Sequence, residues 1–145
     1  MNSAVLFSCG FIVNFVLGGI TGVALAQVPF DVHVHDTYFV VAHFHYIVYG
    51  GSVFVIFASI YHWYPKIIGR MLDEHLGRLH FLLTFVGFNL CFAPQHWLGL
   101  NGMPRRVAEY DPQFELVNQI SSAGALLMAI STLPFLWNCL LYTSP

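Results

Sequence analysis

The distribution of formal charge along the chain constrains its fold more than any other feature. Four long stretches contain no Lys, Arg, Asp or Glu: residues 1–30, 37–65, 79–104 and 116–145. A helix needs about 20 predominantly apolar residues to cross the hydrocarbon core of a bilayer, so each stretch is long enough. The sequence therefore predicts an all-α, polytopic transmembrane helix bundle with spans at about 5–26, 38–62, 79–100 and 117–141.

Composition agrees with a bilayer environment. Charged residues make up only 8% of the chain, whereas a soluble domain usually carries about 25%. The net charge of -2 gives no electrostatic reason to expect a nucleic-acid partner. The three cysteines, Cys9, Cys91 and Cys139, form no CxxC pair, so no disulfide framework is predicted.

The charges between the spans predict which side of the membrane each loop faces. The loop at 63–78 contains Lys66, Arg70 and Arg78, whereas the loop at 27–36 contains no Lys or Arg. The positive-inside rule places the first of these loops in the cytoplasm or matrix and the second outside. Alternation then places the loop at 101–115 outside as well.

Arg105 and Arg106 depart from the positive-inside rule because they lie in this outer loop. Two adjacent guanidiniums at a membrane surface suit bound carboxylates, which Arg can hold through two hydrogen bonds. Alternatively, three acidic residues that follow them balance their charge: Glu109, Asp111 and Glu115. The residues alone leave both interpretations open.

Glycines cluster at two places in the predicted spans. Gly18, Gly19 and Gly22 lie in the first span, and Gly50 and Gly51 lie in the second. Small residues let helix backbones approach closely inside a membrane, where helix association depends on dispersion contact. We therefore expect these glycines to lie at helix–helix contacts.

His43 and His45 lie inside the charge-free second span. Ionisable residues at that depth are rare and mark sites or the bundle interior. Residues two apart on a helix point about 200° apart, so these imidazoles are poorly placed to hold one ion. They can instead bind two metal centres on opposite sides of the helix, with Phe44 near the gap. Because neutral imidazole is a standard axial ligand of haem iron, the pattern predicts two haem groups.

The predicted outer surface carries residues that suit such groups. His43 lies about 8 Å below the outer end of its span at the usual helical rise. Haem propionates at that level would meet Arg105 and Arg106, which could neutralise them. His35 and Asp36 could hold a divalent cation; Mg²⁺ prefers oxygen ligands, but spacing does not distinguish it from Mn²⁺ or Zn²⁺. Alternatively, Asp36 caps the N-terminus of the second span.

Two segments resemble signatures of a known family. The segment His35–Tyr46 (HDTYFVVAHFHY) resembles a signature of the haem–copper oxidase catalytic subunit, and Pro94–Arg106 (PQHWLGLNGMPRR) resembles a second one. Gly18–Gly22 resembles the preceding helix of that family. The resemblance covers about residues 11–138. It implies that residues 1–145 are one partial domain, with four of the family's twelve or so spans.

The resemblance implies a role for individual residues. His43 would be the catalytic axial ligand of the high-spin haem where oxygen is reduced, and His45 would bind the low-spin haem. Arg105 and Arg106 would contact the haem propionates. Three further residues would form a polar cluster beside them: His35 and Asp36, as ligands of a Mg or Mn ion shared with subunit II, and Asp31.

The resemblance also implies an activity. The family oxidises cytochrome c, reduces oxygen to water and pumps protons across the membrane. It would use two haems of A type and a copper centre whose ligands lie upstream of this segment, so the segment alone is expected to be inactive. Its partners would be oxidase subunits II and III and cytochrome c, in a bacterial inner membrane, cyanobacterial in pattern, with a mitochondrial inner membrane as the alternative. The resemblance leaves open whether Met1 and the segment Cys139–Pro145 are natural ends.

Three other interpretations stay open. A quinol oxidase of the same superfamily would differ in its electron donor, although the His35–Asp36 pair and Tyr46 resemble cytochrome c oxidases more. A transporter or channel whose midplane histidines relay protons would show no haem absorbance. A truncated, non-functional gene product would lack the upstream histidines.

Overall fold

The first predicted span is a single helix. This computed structural model describes residues 2–143. In it, α1 (Ser3–Leu25) is capped by Asn2, whose side chain accepts a hydrogen bond from the Val5 N–H at 3.0 Å. Met1 and the last two residues of the chain lie outside the described residues. The segment predicted as a loop at 27–36 contains a second, short helix, α2 (Val28–Val34). Pro29 in its first turn has the φ that a helix start requires.

The second span is longer than predicted and is interrupted in its middle. It runs through α3 (Tyr38–Val48), a π-helical segment (Tyr49–Val53) and α4 (Phe54–Ile68), and it ends at Gly69, whose φ is 77°. The helix cap is Thr37, which accepts a hydrogen bond from the Phe39 N–H at 3.2 Å. The alternative that Asp36 caps this span is therefore wrong.

The third and fourth spans are α5 (Glu74–Leu100) and α6 (Glu115–Thr143), the latter preceded by a 3₁₀ turn at Pro112–Phe114. α5 begins before the predicted residue 79 because the Asp73 side chain caps it, accepting from the Leu76 N–H at 2.8 Å. Acidic residues such as Glu74 are favourable in a first turn, so charge does not end the helix there. Within residues 2–143, four continuous helical stretches are long and apolar enough to cross a membrane, and the predicted all-α, multi-pass architecture is confirmed.

The helices pack so that α3 lies between two others. α1 packs against α3 and α4, α3 packs against α5, and α5 pairs with α6. The largest buried cluster is aromatic and includes Phe7, Phe54 and Phe88. Large apolar side chains also cover the outer surfaces of the helices, as a bundle surrounded by lipid requires. The histidine-bearing α3 therefore contacts α1 and α5.

Three of the predicted glycine contacts are present. A Cβ atom added at Gly18, Gly22 or Gly50 would lie 2.8 to 2.9 Å from a side chain of another helix. At Gly51 the nearest atom would be 3.4 Å away, which is ordinary contact, and at Gly19 nothing lies within 4 Å. The expectation of close helix contact is therefore wrong for Gly19.

Candidate functional site

His43 projects from α3 towards α1. Its Nδ1 lies 3.0 Å from the backbone oxygen of Gly18 and 3.0 Å from Oγ1 of Thr21. Because a carbonyl oxygen can only accept, Nδ1 of the neutral ring carries the proton and donates it. Nε2 therefore keeps its lone pair. Metal-binding histidines usually fix their tautomer in this way, through a hydrogen bond from the nitrogen that does not bind the metal.

His45 has the same tautomer through a contact within its own helix. Its Nδ1 lies 2.7 Å from the backbone oxygen of Val41, so Nδ1 again donates and Nε2 keeps its lone pair. The ring stacks on Phe92 of α5, with centroids 4.2 Å apart and planes inclined by 15°. The ring centroid of Phe44 lies 4.4 Å from that of His45. Within residues 2–143, the Nε2 atoms of His43 and His45 have no hydrogen-bond partner.

The two imidazoles lie against different helices. His43 contacts α1, whereas His45 lies against Phe92 of α5. Both belong to the span Tyr38–Ile68. This arrangement agrees with the separation expected from their spacing along a helix. Their roles as iron ligands stay a prediction at this point.

Backbone hydrogen bonds join the segment before α3 to the segment after α5, and so bring the two signature segments together at one end of the bundle. The Arg105 N–H donates to the backbone oxygen of Asp36 at 2.9 Å, and the Tyr38 N–H donates to that of Met103 at 3.1 Å. Asp36 and Arg106 have left-handed backbone conformations, with φ of 58° and 63°. The residues predicted to lie together on the outer side therefore do share one end of the molecule.

Arg105 forms an ion pair with Asp36. Its Nε donates to Oδ1 of Asp36 at 2.8 Å, and its Nη2 contacts the same oxygen. The hydrogen bond from Arg105, followed by the positive charges of Arg105 and Arg106, holds the pKa of Asp36 below its usual value. Asp36 is therefore a carboxylate at neutral pH, and the ion pair weakens as the pH falls through that lowered pKa.

The three acidic residues that could balance the arginine pair make no direct contact with it in the described part of the chain. Asp111 caps the 3₁₀ turn, accepting from the Gln113 N–H at 3.0 Å, and Glu115 accepts from Gln119 at 3.1 Å. Among residues 2–143, neither of these acids nor Glu109 forms an ion pair with Arg105 or Arg106.

His35 and Asp31 complete the polar cluster at this end. Nε2 of His35 lies 3.3 Å from Oδ2 of Asp36, and its Nδ1 lies 3.9 Å from Oδ2 of Asp31. Within residues 2–143, no three His, Cys, Asp or Glu side chains are arranged to hold a metal ion. A cation bound by His35 and Asp36 would therefore need ligands from outside this segment.

A cavity of about 240 Å³ lies beside α3 below the arginine pair. Its lining combines an apolar wall with two guanidiniums: Tyr38, Val41, Phe44, Arg105 and Arg106. Val41 is also the residue whose backbone oxygen holds His45. The cavity thus joins the arginine pair to the side of α3 that carries His45.

The partners of His43 on α1 were missed by the sequence reasoning. Gly18, Thr21 and Gly22 are spaced i, i+3 and i+4, which places them on one helix face. A Cβ atom at Gly22 would lie 2.8 Å from Cε1 of His43, so a larger residue there would displace the ring from its present position. The i, i+3, i+4 spacing is the signal that could have identified this face.

Comparisons with known proteins relate the chain to membrane oxidases. The family model described as Cytochrome C and Quinol oxidase polypeptide I matches residues 1–127. Cytochrome c oxidase subunit 1 of Synechocystis sp. is 59% identical over 138 residues, which is 95% of this chain and 25% of the relative. That of Thermostichus vulcanus is 62% identical over the same shares. The chain therefore spans about a quarter of the length of the curated relatives it matches.

A solved structure has the same fold. The cryo-EM structure of a haem–copper terminal oxidase dimer aligns with a TM-score of 0.85, covering 99% of this chain and 27% of that chain. Its sequence is only 24% identical, so this match shows the arrangement of the helices and nothing about function. The four spans correspond to part of a larger membrane-embedded bundle.

Proposed function

The chain belongs to the Cytochrome C and Quinol oxidase polypeptide I family, and we propose that it supplies the axial histidines of two haems in a terminal respiratory oxidase. The observation that carries this proposal is the pair of histidines on α3. His43 and His45 each donate Nδ1–H to a backbone oxygen, so each has an Nε2 lone pair available for iron. They lie against different helices, which suits two separate haems and not one metal ion.

The outer end of the bundle fits the polar edge of such groups. Arg105 and Arg106 line the cavity beside α3, and carboxylate side groups of a haem would be costly to bury there without a counter-charge.

Each residue then has a defined task. His43 would hold the iron of the high-spin haem, with Gly18 and Thr21 fixing its ring. His45, whose ring stacks on Phe92, would hold the iron of the low-spin haem. When bound, haem iron supplies the one-electron chemistry for passing electrons to oxygen. The Asp36–Arg105 pair orients the arginine at the outer end, and His35 with Asp36 would contribute to a Mg or Mn site.

The relatives support a proposal for the activity of the whole subunit. We propose oxidation of cytochrome c and reduction of oxygen to water with proton pumping, by a complex with subunits II and III. The haems would be of A type, and the copper ligands would lie in the part of the subunit outside this segment. The family name covers quinol oxidases also, whereas the relatives named above are cytochrome c oxidases.

A hybrid subunit tests this function. This segment would replace the matching quarter of the Synechocystis relative, and the assembled complex would be purified. We expect absorbance from a low-spin and a high-spin haem, and oxygen uptake with reduced cytochrome c as donor. Uptake with quinol alone would favour a quinol oxidase. Absence of haem would contradict the proposal, provided that the unmodified relative, prepared in the same way, contains both haems.

Replacing Arg105 by alanine in this hybrid subunit is expected to change haem potential more than haem content. Removing a positive charge beside the propionates favours oxidised iron, so the midpoint potential should fall. A tenfold change in the redox equilibrium corresponds to about 59 mV for one electron, and we expect a shift of this order. Spectroelectrochemical titration and a haem assay measure the two quantities.

Arg78→Ala is the matched control for this substitution. It removes the same charge at the opposite end of the bundle, in the first turns of α5, and should leave the potentials unchanged. Loss of haem from Arg105→Ala with no shift in what remains would count against contact with the propionates.

A further inference from the structure

We propose that Thr21 is a positioning residue that shares the Nδ1 proton of His43 with the Gly18 backbone and thereby tunes His43 as an iron ligand. This inference rests on the proposed function, in which His43 binds the high-spin haem. The hydroxyl lies on α1, whereas the histidine that it contacts lies on α3.

Three polar atoms form a closed triangle. Nδ1 of His43 lies 3.0 Å from the Gly18 oxygen and 3.0 Å from Thr21 Oγ1, and Thr21 Oγ1 lies 2.8 Å from the Gly18 oxygen. The hydroxyl has one proton, and the carbonyl oxygen can only accept it. A lone pair of Oγ1 is therefore directed to the Nδ1–H of His43, which is shared between two acceptors.

The bond from Thr21 to Gly18 is by itself an ordinary feature. Ser and Thr hydroxyls in helices commonly bond to a backbone oxygen three or four residues back. Thr132 of α6 does so, donating to the Ala129 oxygen at 2.7 Å, and no histidine ring is bonded to it. What distinguishes Thr21 is the second contact, to the ring of His43.

This second contact changes the character of the imidazole. Acceptors on the nitrogen that does not bind the metal raise the basicity of the ligand, and they fix the orientation of its ring. Inside a bilayer the low dielectric strengthens both hydrogen bonds, and each polarises the next. A more basic His43 would bind iron more strongly and favour its oxidised state. Thr21 would thus lower the potential of the high-spin haem.

Thr21→Val in the hybrid complex removes the hydroxyl while keeping the side-chain shape. We expect the iron–histidine stretching vibration of the reduced high-spin haem, measured by resonance Raman, to move to lower frequency. We also expect its midpoint potential to rise. Loss of a partner of this kind typically changes metal affinity about 10- to 100-fold. Since the Gly18 oxygen remains, the redox equilibrium of the haem should change by no more than about tenfold, which is about 59 mV for one electron.

Further variants distinguish the effect of the Thr21 hydroxyl from the effect of packing around it. Thr21→Ser should restore both signals because it keeps the hydroxyl, and Thr21→Ala should reproduce the shifts of Thr21→Val without an apolar branch. Thr132→Val removes an equivalent hydroxyl from α6 and should change neither signal. If the valine variant lacks haem, the alanine and serine pair gives the same comparison.

Two results would overturn the inference. One is a Thr21→Val or Thr21→Ala complex whose vibration and potential equal those of the parent. The other is Thr21→Ser showing the same shifts as valine, which would assign them to packing. His43→Ala separates this failure from that of the proposed function. If the vibration persists without His43, the proposed function fails; if it is lost while Thr21 variants change nothing, only the role of Thr21 fails.

Discussion

Replacing His45 by alanine in the hybrid complex is expected to abolish the low-spin haem absorbance and leave the high-spin haem in place. The Nε2 lone pair of His45 is the ligand that this segment would bring to that iron, and alanine offers no substitute. His43 lies against a different helix and has its own hydrogen-bond partners, so it should keep its haem. The reduced-minus-oxidised spectrum and total haem per subunit measure both outcomes.

His33→Ala provides a matched control. Its Nδ1 bonds to the Pro29 backbone oxygen at 2.9 Å, the same i to i+4 contact that His45 makes with Val41, but its side chain is exposed and outside the spans. It should leave the spectrum unchanged. His45→Met should retain a low-spin haem at a higher potential, because methionine can bind haem iron and raises its potential. An unchanged spectrum in His45→Ala would contradict the assignment of this ligand.

The spans could be predicted because a bilayer imposes one requirement over about 20 consecutive residues, and charge shows where it is met. The ends of the helices depend on local chemistry that a count of charges ignores. Asp73 caps α5 ahead of Glu74, so this helix begins on charged residues. α4 continues past residue 62 until Gly69 adopts a left-handed conformation. α2 was missed because its seven residues are too few to show a periodic pattern.

The arrangement of the site was predictable where it depends on one helix alone. The spacing of His43 and His45 determines their angular separation, and the structure places them against different helices. The contacts that fix each ring come from elsewhere in the fold, as with Phe92 of α5. The same holds for Asp36, whose pairing with Arg105 depends on a loop contact across 69 residues. Its left-handed backbone also differs from the extended conformation that a helix cap requires.

The glycine contacts were also predictable only in part. Clusters such as Gly18–Gly22 are visible in a sequence, whereas single glycines at close contacts are not. A Cβ atom at Gly124 of α6 would lie 2.4 Å from the backbone nitrogen of Cys91, and one at Gly99 of α5 would lie 2.0 Å from that of Phe39. Both contacts are closer than any made by the clustered glycines that were predicted.

Gly99→Ala is therefore expected to have the largest effect on stability among the substitutions considered. The added methyl group would meet the backbone nitrogen of Phe39 at 2.0 Å and its Cα at 2.5 Å. Backbone atoms cannot turn aside as a side-chain end can, so the start of α3 must move away from α5. Overpacking typically costs about 1–3 kcal/mol, and we expect more than about 3 kcal/mol here. Thermal unfolding of the purified hybrid complex, followed by haem absorbance, measures this loss.

Gly51→Ala is the control that separates crowding from the loss of a glycine as such. Its Cβ atom would lie 3.4 Å from Phe15, which is ordinary contact, and alanine is favoured over glycine in a helix by about 1 kcal/mol. We expect unchanged or slightly raised stability there. The displacement in Gly99→Ala should also reach the end of the site that holds Arg105, because Thr37 and Asp36 immediately precede the part of α3 that moves. An unfolding temperature for Gly99→Ala equal to that of the parent would show that α3 and α5 are farther apart than this structure places them.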